Sequence, residues 1–144
     1  MTLVFLGHRP EAEIESIAET LGAVEGLSAP VLWPVAVEAL PRRRPRLLAL
    51  DLHDPEGRAA AVQSAASRAL EVRRLHVPER RAFWPHLTLA RVRGGQGPEP
   101  RLAAVPEAGV PEGPLRFEHV TLYRSHLAPG GARYEPLVRR RLRS

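Results

Sequence analysis

Pro85 and the run that follows it, His86-Leu87-Thr88-Leu89-Ala90-Arg91-Val92-Arg93, constrain this chain more than any other stretch. Proline has no amide to give to a ladder, so it suits the first position of a strand. Beyond it, His86, Thr88 and Ala90 fall on one side of an extended segment, and Leu87, Leu89 and Val92 largely on the other. The apolar side can be buried. The other side presents an imidazole and a hydroxyl about 7 Å apart, from a rise of ~3.3 Å per residue. Imidazole can take or give a proton near neutral pH. A hydroxyl can hold an anionic oxygen. Arg91 adds a guanidinium fork that matches phosphate. A single His-x-Thr is more often a polar strand face turned to water, so the motif needs support from elsewhere.

That support lies at the start of the sequence. Met1 to Gly7 reads as a second strand of the same kind, and Thr2-Leu3-Val4 matches Thr88-Leu89-Ala90 in position and type. Phe5-Leu6-Gly7 follows the first motif and Ala90-Arg91 continues the second. Leu122 to Ser125 and Gly130 to Glu135 supply a Leu-Tyr-Arg-Ser and a Gly-Gly-x-x-Tyr-Glu. With these features the sequence resembles, over essentially its whole length, the RNA 2',3'-cyclic phosphodiesterases, or 2'-5' RNA ligases, of the two-histidine phosphoesterase superfamily.

The resemblance implies a two-lobed α+β domain, mainly antiparallel sheets with outer helices around a central groove. It implies hydrolysis of an RNA 2',3'-cyclic phosphate to a 2'-phosphate with no metal and no cofactor, and in some members the weak reverse joining of 2'-5' ends. Carried onto these residues, His86 becomes the base toward water, Thr88 and Thr2 the phosphate donors, and Arg91 a substrate contact. The implied partners are RNA ends or small cyclic nucleotides.

One departure stands out. In the family a histidine precedes the position matched by Met1, and a strand and helix precede that histidine. The expectation is therefore a single domain over residues 1–144, incomplete at its N-terminus through a start at an internal methionine. On that expectation the faces of Leu3, Phe5, Leu6 and Ile17 are partly uncovered, and the chain is less stable than a longer form, self-associates and has little or no phosphodiesterase activity. A rival class is a catalytically impaired protein that binds RNA ends or nucleotides through Thr88, His86 and Arg91. A third is an arginine-rich protein that binds nucleic acid through charge alone.

Composition narrows the classes. The 144 residues suffice for one domain with a core. Cysteine is absent, which removes disulfides and thiolate metal sites. No apolar run approaches the ~20 residues of a membrane helix. Leu3 to Leu6 is too short for a signal peptide, and the expectation is a cytoplasmic protein. All 21 basic residues are arginine, and the formal charge of +5 is compatible with an anionic partner. The arginines concentrate in Arg42-Arg43-Arg44 with Arg46, and in Arg139-Arg140-Arg141 with Arg143.

The remaining elements follow in order. Pro10 can open a helix whose buried face is Ile14, Ile17, Ala18 and Leu21, with Gly22 as its stop. Val31 to Val37 and Arg46 to Leu52 are extended and joined by Pro41 to Pro45, with an edge or bend at Trp33-Pro34. Asp54-Pro55 suggests a helix start, with a stripe of Val62, Ala65, Ala66, Ala69, Leu70 and Val72 running to about Arg74. Gly94 to Pro114 reads as a loop with a short helical stretch near Arg101 to Val105. Leu115 to Tyr123 reads as one strand, Pro129 to Gly131 as a turn, and Ala132 to Leu142 as an edge strand that tolerates Pro136.

Among the other histidines, His119 opens a further His-x-Thr-Leu, but it lies far closer to Thr88 than the family's paired motifs lie to each other. His8 is too distant along its strand to replace the family's first histidine, roughly 25 Å at ~3.3 Å per residue. His53, His76 and His126 read as surface residues. No spacing suits a metal site.

Overall fold

The computed structural model describes residues 1–41, 43, 45–91, 109–128 and 131–144. The expected loop and short helical stretch within 94–108, and the Pro129-Gly130 turn, lie outside the described residues, as do Arg42, Arg44 and Val92.

The described residues build an α+β fold with two antiparallel sheets, one of four strands and one of two. Its elements are a 3-10 turn Glu11–Glu13, α1 (Ile14–Thr20), a 3-10 turn Leu21–Val24, β1 (Val31–Leu40), β2 (Leu47–His53), α2 (Arg58–Val72), β3 (His86–Arg91), β4 (Leu115–Arg116), β5 (His119–Ala128) and β6 (Gly131–Arg141). The larger sheet runs β3-β2-β1-β4, and among the described strands β5 pairs only with β6.

β2 lies between two neighbours, and its Leu48, Ala49, Leu50 and Leu52 are all buried. A central strand covered on both faces loses the simple alternation of an amphipathic one. β1 pairs with it from Trp33 to Leu40, and the register slips between Pro34 and Ala36. The bend expected at Trp33-Pro34 is this bulge, and it turns Val35 outward to 53 % exposure.

Helix α2 ties the molecule together. Ala59, Val62, Ala66 and Leu70 recur at helical spacing and are buried. Ala59 joins Leu32, Leu50 and Leu52 under the larger sheet. Val62 and Ala66 join Leu21, Val24, Val120 and Leu142 under the smaller one. Leu70 packs with Ile17 and Leu75. The helix starts later than Asp54-Pro55 suggests, because Gly57 takes a left-handed φ of 66° and serves as the N-cap. Asp54 still serves the helix start, since its Oδ2 accepts a 3.0 Å hydrogen bond from the Ala60 amide. The stripe also ends early, and Val72 is 79 % exposed.

Three expectations are corrected. Met1 to Gly7 is not a strand of either sheet. It is held by its side chains instead: Met1 packs against the Leu32 cluster, Leu3 and Val4 against the Val62 cluster, and Leu6 beside Ile17 and Leu70. Burial alone fixes its path. Secondly, of the four residues expected to be partly uncovered, Leu3 and Leu6 are half-buried and Phe5 is exposed, but Ile17 is fully covered. Thirdly, Leu115 to Tyr123 is two strands. Leu115 and Arg116 pair with β1, whereas His119 onward pairs with β6. The chain changes sheet at Phe117-Glu118, where the Phe117 amide bonds to the Pro30 carbonyl and the Glu118 carbonyl accepts from Leu142.

Helix α1 also begins one 3-10 turn after Pro10, and a second 3-10 turn carries the chain past Gly22 to Val24. The β5–β6 hairpin matches the expected return strand. Pro136 is tolerated because β6 has a neighbour on one side only among the described strands. Among the described residues, no helix is long and apolar enough to cross a membrane.

Candidate active site

β3 sets the site. Its register places Asp51 opposite His86 and Ala49 opposite Thr88. The ladder then skips a residue, so that Leu48 faces Ala90 and Leu89 stands at a bulge. The bulge breaks the alternation expected along this strand. Leu87 packs against the Leu32–Leu50–Leu52 core, but Leu89 is 52 % exposed. His86 is half-buried, and Thr88 and Arg91 are exposed.

His86 is held on two sides by Trp84. Its Nδ1–H donates to the Trp84 carbonyl at 2.8 Å. A carbonyl only accepts, so Nδ1 carries the proton of this contact and Nε2 remains to exchange one. The imidazole also stacks on the Trp84 indole, with ring centroids 4.2 Å apart and planes 17° from parallel. The indole is anchored in turn: its Nε1–H donates to Asp51 Oδ1 at 2.6 Å in partly buried surroundings. That is a charge-assisted bond, the stronger kind.

These groups open onto a cleft of about 1050 Å³. His86, Thr88 and Arg91 line it from β3, and Phe83 and Trp84 from the approach to that strand. Met1 to Phe5 line it as well, so Thr2 shares the cleft with His86 and Thr88 although the two motifs lie far apart in the sequence. Leu127, Ala132 and Tyr134 contribute from the β5–β6 hairpin. Gln63, Ser67 and Glu71 of α2 also line it, four residues apart and beside the stripe that fills the core. Arg68, Arg81 and Arg91 bring positive charge against Glu71 and Glu79. An imidazole with a free nitrogen, hydroxyls and guanidiniums together can bind a phosphoryl group and move a proton beside it.

The four site residues marked in the sequence therefore share one cleft. His119 and His8 are exposed and are not among its lining residues. His76, read from the sequence as a surface residue, does line it. No pattern around Leu75-His76-Val77-Pro78 signals this. Sequence reasoning also misses Asp51 and Trp84, though Asp51 leaves a trace: it is a lone carboxylate inside the apolar strand Leu47–His53, a position that demands a partner. Among the described residues, no group of three or more His, Cys, Asp or Glu side chains is placed to hold a metal ion.

A cleft between two small antiparallel sheets, with an imidazole, hydroxyls and guanidiniums among apolar walls, fits a protein that handles phosphoesters. The LigT-like phosphoesterase family matches residues 52–134, more than half of the chain, and the chain belongs to that family. No curated protein matches it. Among solved structures, the chain is similar to TT0787 of Thermus thermophilus, with 27 % identity over 96 % of this chain and 74 % of that one, at a TM-score of 0.67. It shares the fold of Escherichia coli LigT in its apo form, with 23 % identity over 99 % of this chain and 75 % of that one, at a TM-score of 0.70. It also shares the fold of the same protein complexed with 3'-AMP, with 22 % identity over 99 % and 76 % of the two chains and a TM-score of 0.73. The family assigns this chain to phosphoester hydrolysis in general.

Proposed function

We propose that this protein hydrolyses the 2',3'-cyclic phosphate at RNA 3' ends to a 2'-phosphate, without a metal. The observation that carries the proposal is the convergence of Thr2 with His86, Thr88 and Arg91 on one cleft. A nucleotide ligand is supported by the complex of E. coli LigT with 3'-AMP.

In this reading His86 Nε2 takes a proton from water, which attacks phosphorus. The phosphorus–O3' bond breaks as O3' takes a proton from solvent water and leaves as a hydroxyl, and the proton held by His86 returns to solvent. The hydroxyls of Thr2 and Thr88 and the Arg91 guanidinium hold the non-bridging oxygens as charge develops. Attack by a 5'-hydroxyl in place of water is the same displacement and joins 2'-5' ends. The size of the cleft admits a nucleotide.

The test is the identity of the product. Incubated with a nucleoside 2',3'-cyclic phosphate and a chelator, the protein should release the 2'-phosphate alone. Release of the 3'-phosphate, or dependence on added divalent metal, would overturn the proposal.

A further inference from the structure

We infer that Trp84 and Asp51 form a positioning device for His86, a claim that rests on His86 being the base of the proposed reaction. One residue fixes the imidazole twice. The Trp84 carbonyl sets its tautomer through Nδ1, and the Trp84 indole sets the plane of its ring. Neither constraint holds unless Trp84 itself is fixed. Its backbone lies on the approach to β3, next to Pro85, whose carbonyl accepts from Leu52 of β2. Its indole is fixed by Asp51, which the β2–β3 register sets directly across from His86. The chain of contacts is closed: strand register places Asp51, Asp51 holds the indole, and the indole holds the imidazole.

The energetics favour a functional role. A carboxylate in the middle of a strand whose neighbours are buried costs stability unless its partner is good. What the carboxylate supplies is orientation. A base off its line by even 1 Å costs about 10²-fold in rate.

The device can be read without turnover. The chain has two tryptophans, so Trp33→Phe leaves Trp84 as its only indole. Trp33 lies outside the cleft described above. A protonated imidazole stacked on an indole quenches its emission. In the Trp33→Phe protein, acidification should dim Trp84, and His86→Ala should abolish the dimming. Asp51→Leu should abolish it too, by releasing the indole, whereas Asp51→Asn keeps an acceptor and should retain it. A dimming unchanged in Asp51→Leu, with the protein still melting cooperatively, would overturn the inference.

Kinetics give the second readout. Trp84→Leu should lower kcat about 10²-fold with KM nearly unchanged, and Trp84→Phe, which keeps a stacking face, should recover part of the loss. A loss carried entirely by KM would make Trp84 a substrate contact and overturn the positioning role. These outcomes are separate from those for His86: if His86→Ala turns over at the parent rate, the hydrolytic reading of His86 fails, whatever Trp84 does.

Discussion

Asp51 on β2 stands directly across the ladder from His86 on β3, and its carboxylate accepts a 2.6 Å hydrogen bond from the indole on which that histidine stacks. Two residues made neighbours by strand register are thus joined through a third, Trp84. The candidate base therefore takes its orientation from the larger sheet. Damage to that sheet should reach the site, and damage to exposed surface should not.

Leu32 is the first place to test this. It is fully buried among Leu50, Leu52 and Ala59, in the cluster that Leu87 and Phe83 also touch. Leu32→Ala should cost about 2–5 kcal/mol, the range for a buried leucine. The denaturant midpoint should fall with little change in slope. A loss under about 1 kcal/mol would mean that the cluster collapses around the gap.

Asp54 tests how α2 is anchored. Its carboxylate caps the Ala60 amide from outside the helix. Asp54→Ala should destabilise the protein by about 0.5–2 kcal/mol, as for other lost caps. Asp54→Asn retains an acceptor and should lose less. Thermal melts of the two variants decide.

How far the sequence carries depends on what kind of force positions each part. His86, Thr88, Thr2 and Arg91 are legible because alternation and a repeated motif mark them, and all four reach the cleft. The buried positions Val62, Ala66 and Leu70 are legible because helical spacing needs no partner to be seen. Met1 to Gly7 reads as a strand because Thr2-Leu3-Val4 has a strand's composition, whereas ladder pairing depends on an edge that composition does not show. The exposure of Leu89 depends on a bulge set by β2, and the division of Leu115 to Tyr123 on two partners remote in sequence. Trp84 and Asp51 meet only through tertiary register, so the sequence alone assigns neither a role.

Arg91 tests substrate binding. It lines the cleft on the same strand as His86. Hydrogen bonds to charged groups contribute ~1.5–3 kcal/mol. Arg91→Ala should therefore weaken binding of a nucleoside 2'-phosphate by about 10- to 100-fold. Arg91→Lys keeps the charge but not the fork, and should fall between. Calorimetric titration measures both. Unchanged affinity in Arg91→Ala would remove the residue from the site.

The β5–β6 hairpin carries a pH dependence with a defined sign. His126 Nε2 lies 2.8 Å from Glu135 Oε2, and this hydrogen bond, helped by the charges of His126 and Arg124, holds the Glu135 carboxyl below its usual range. A carboxylate whose folded value is depressed contributes stability above its unfolded value and loses it as pH falls through the folded one. Glu135 is exposed, so the contribution is small. By NMR, Glu135 should titrate below other exposed glutamates, and His126→Ala should move it upward. No movement in that variant would assign the depression to Arg124 alone.

The role of His86 in hydrolysis is decided by turnover of a nucleoside 2',3'-cyclic phosphate by the parent protein and by His86→Ala, in chelator and at equal folded concentration. Removing one proton-transfer group typically costs about 10²- to 10⁴-fold. The parent should convert the substrate to the 2'-phosphate, and His86→Ala should lose about that much rate. Equal turnover by the two proteins, or none by the parent, would contradict that role.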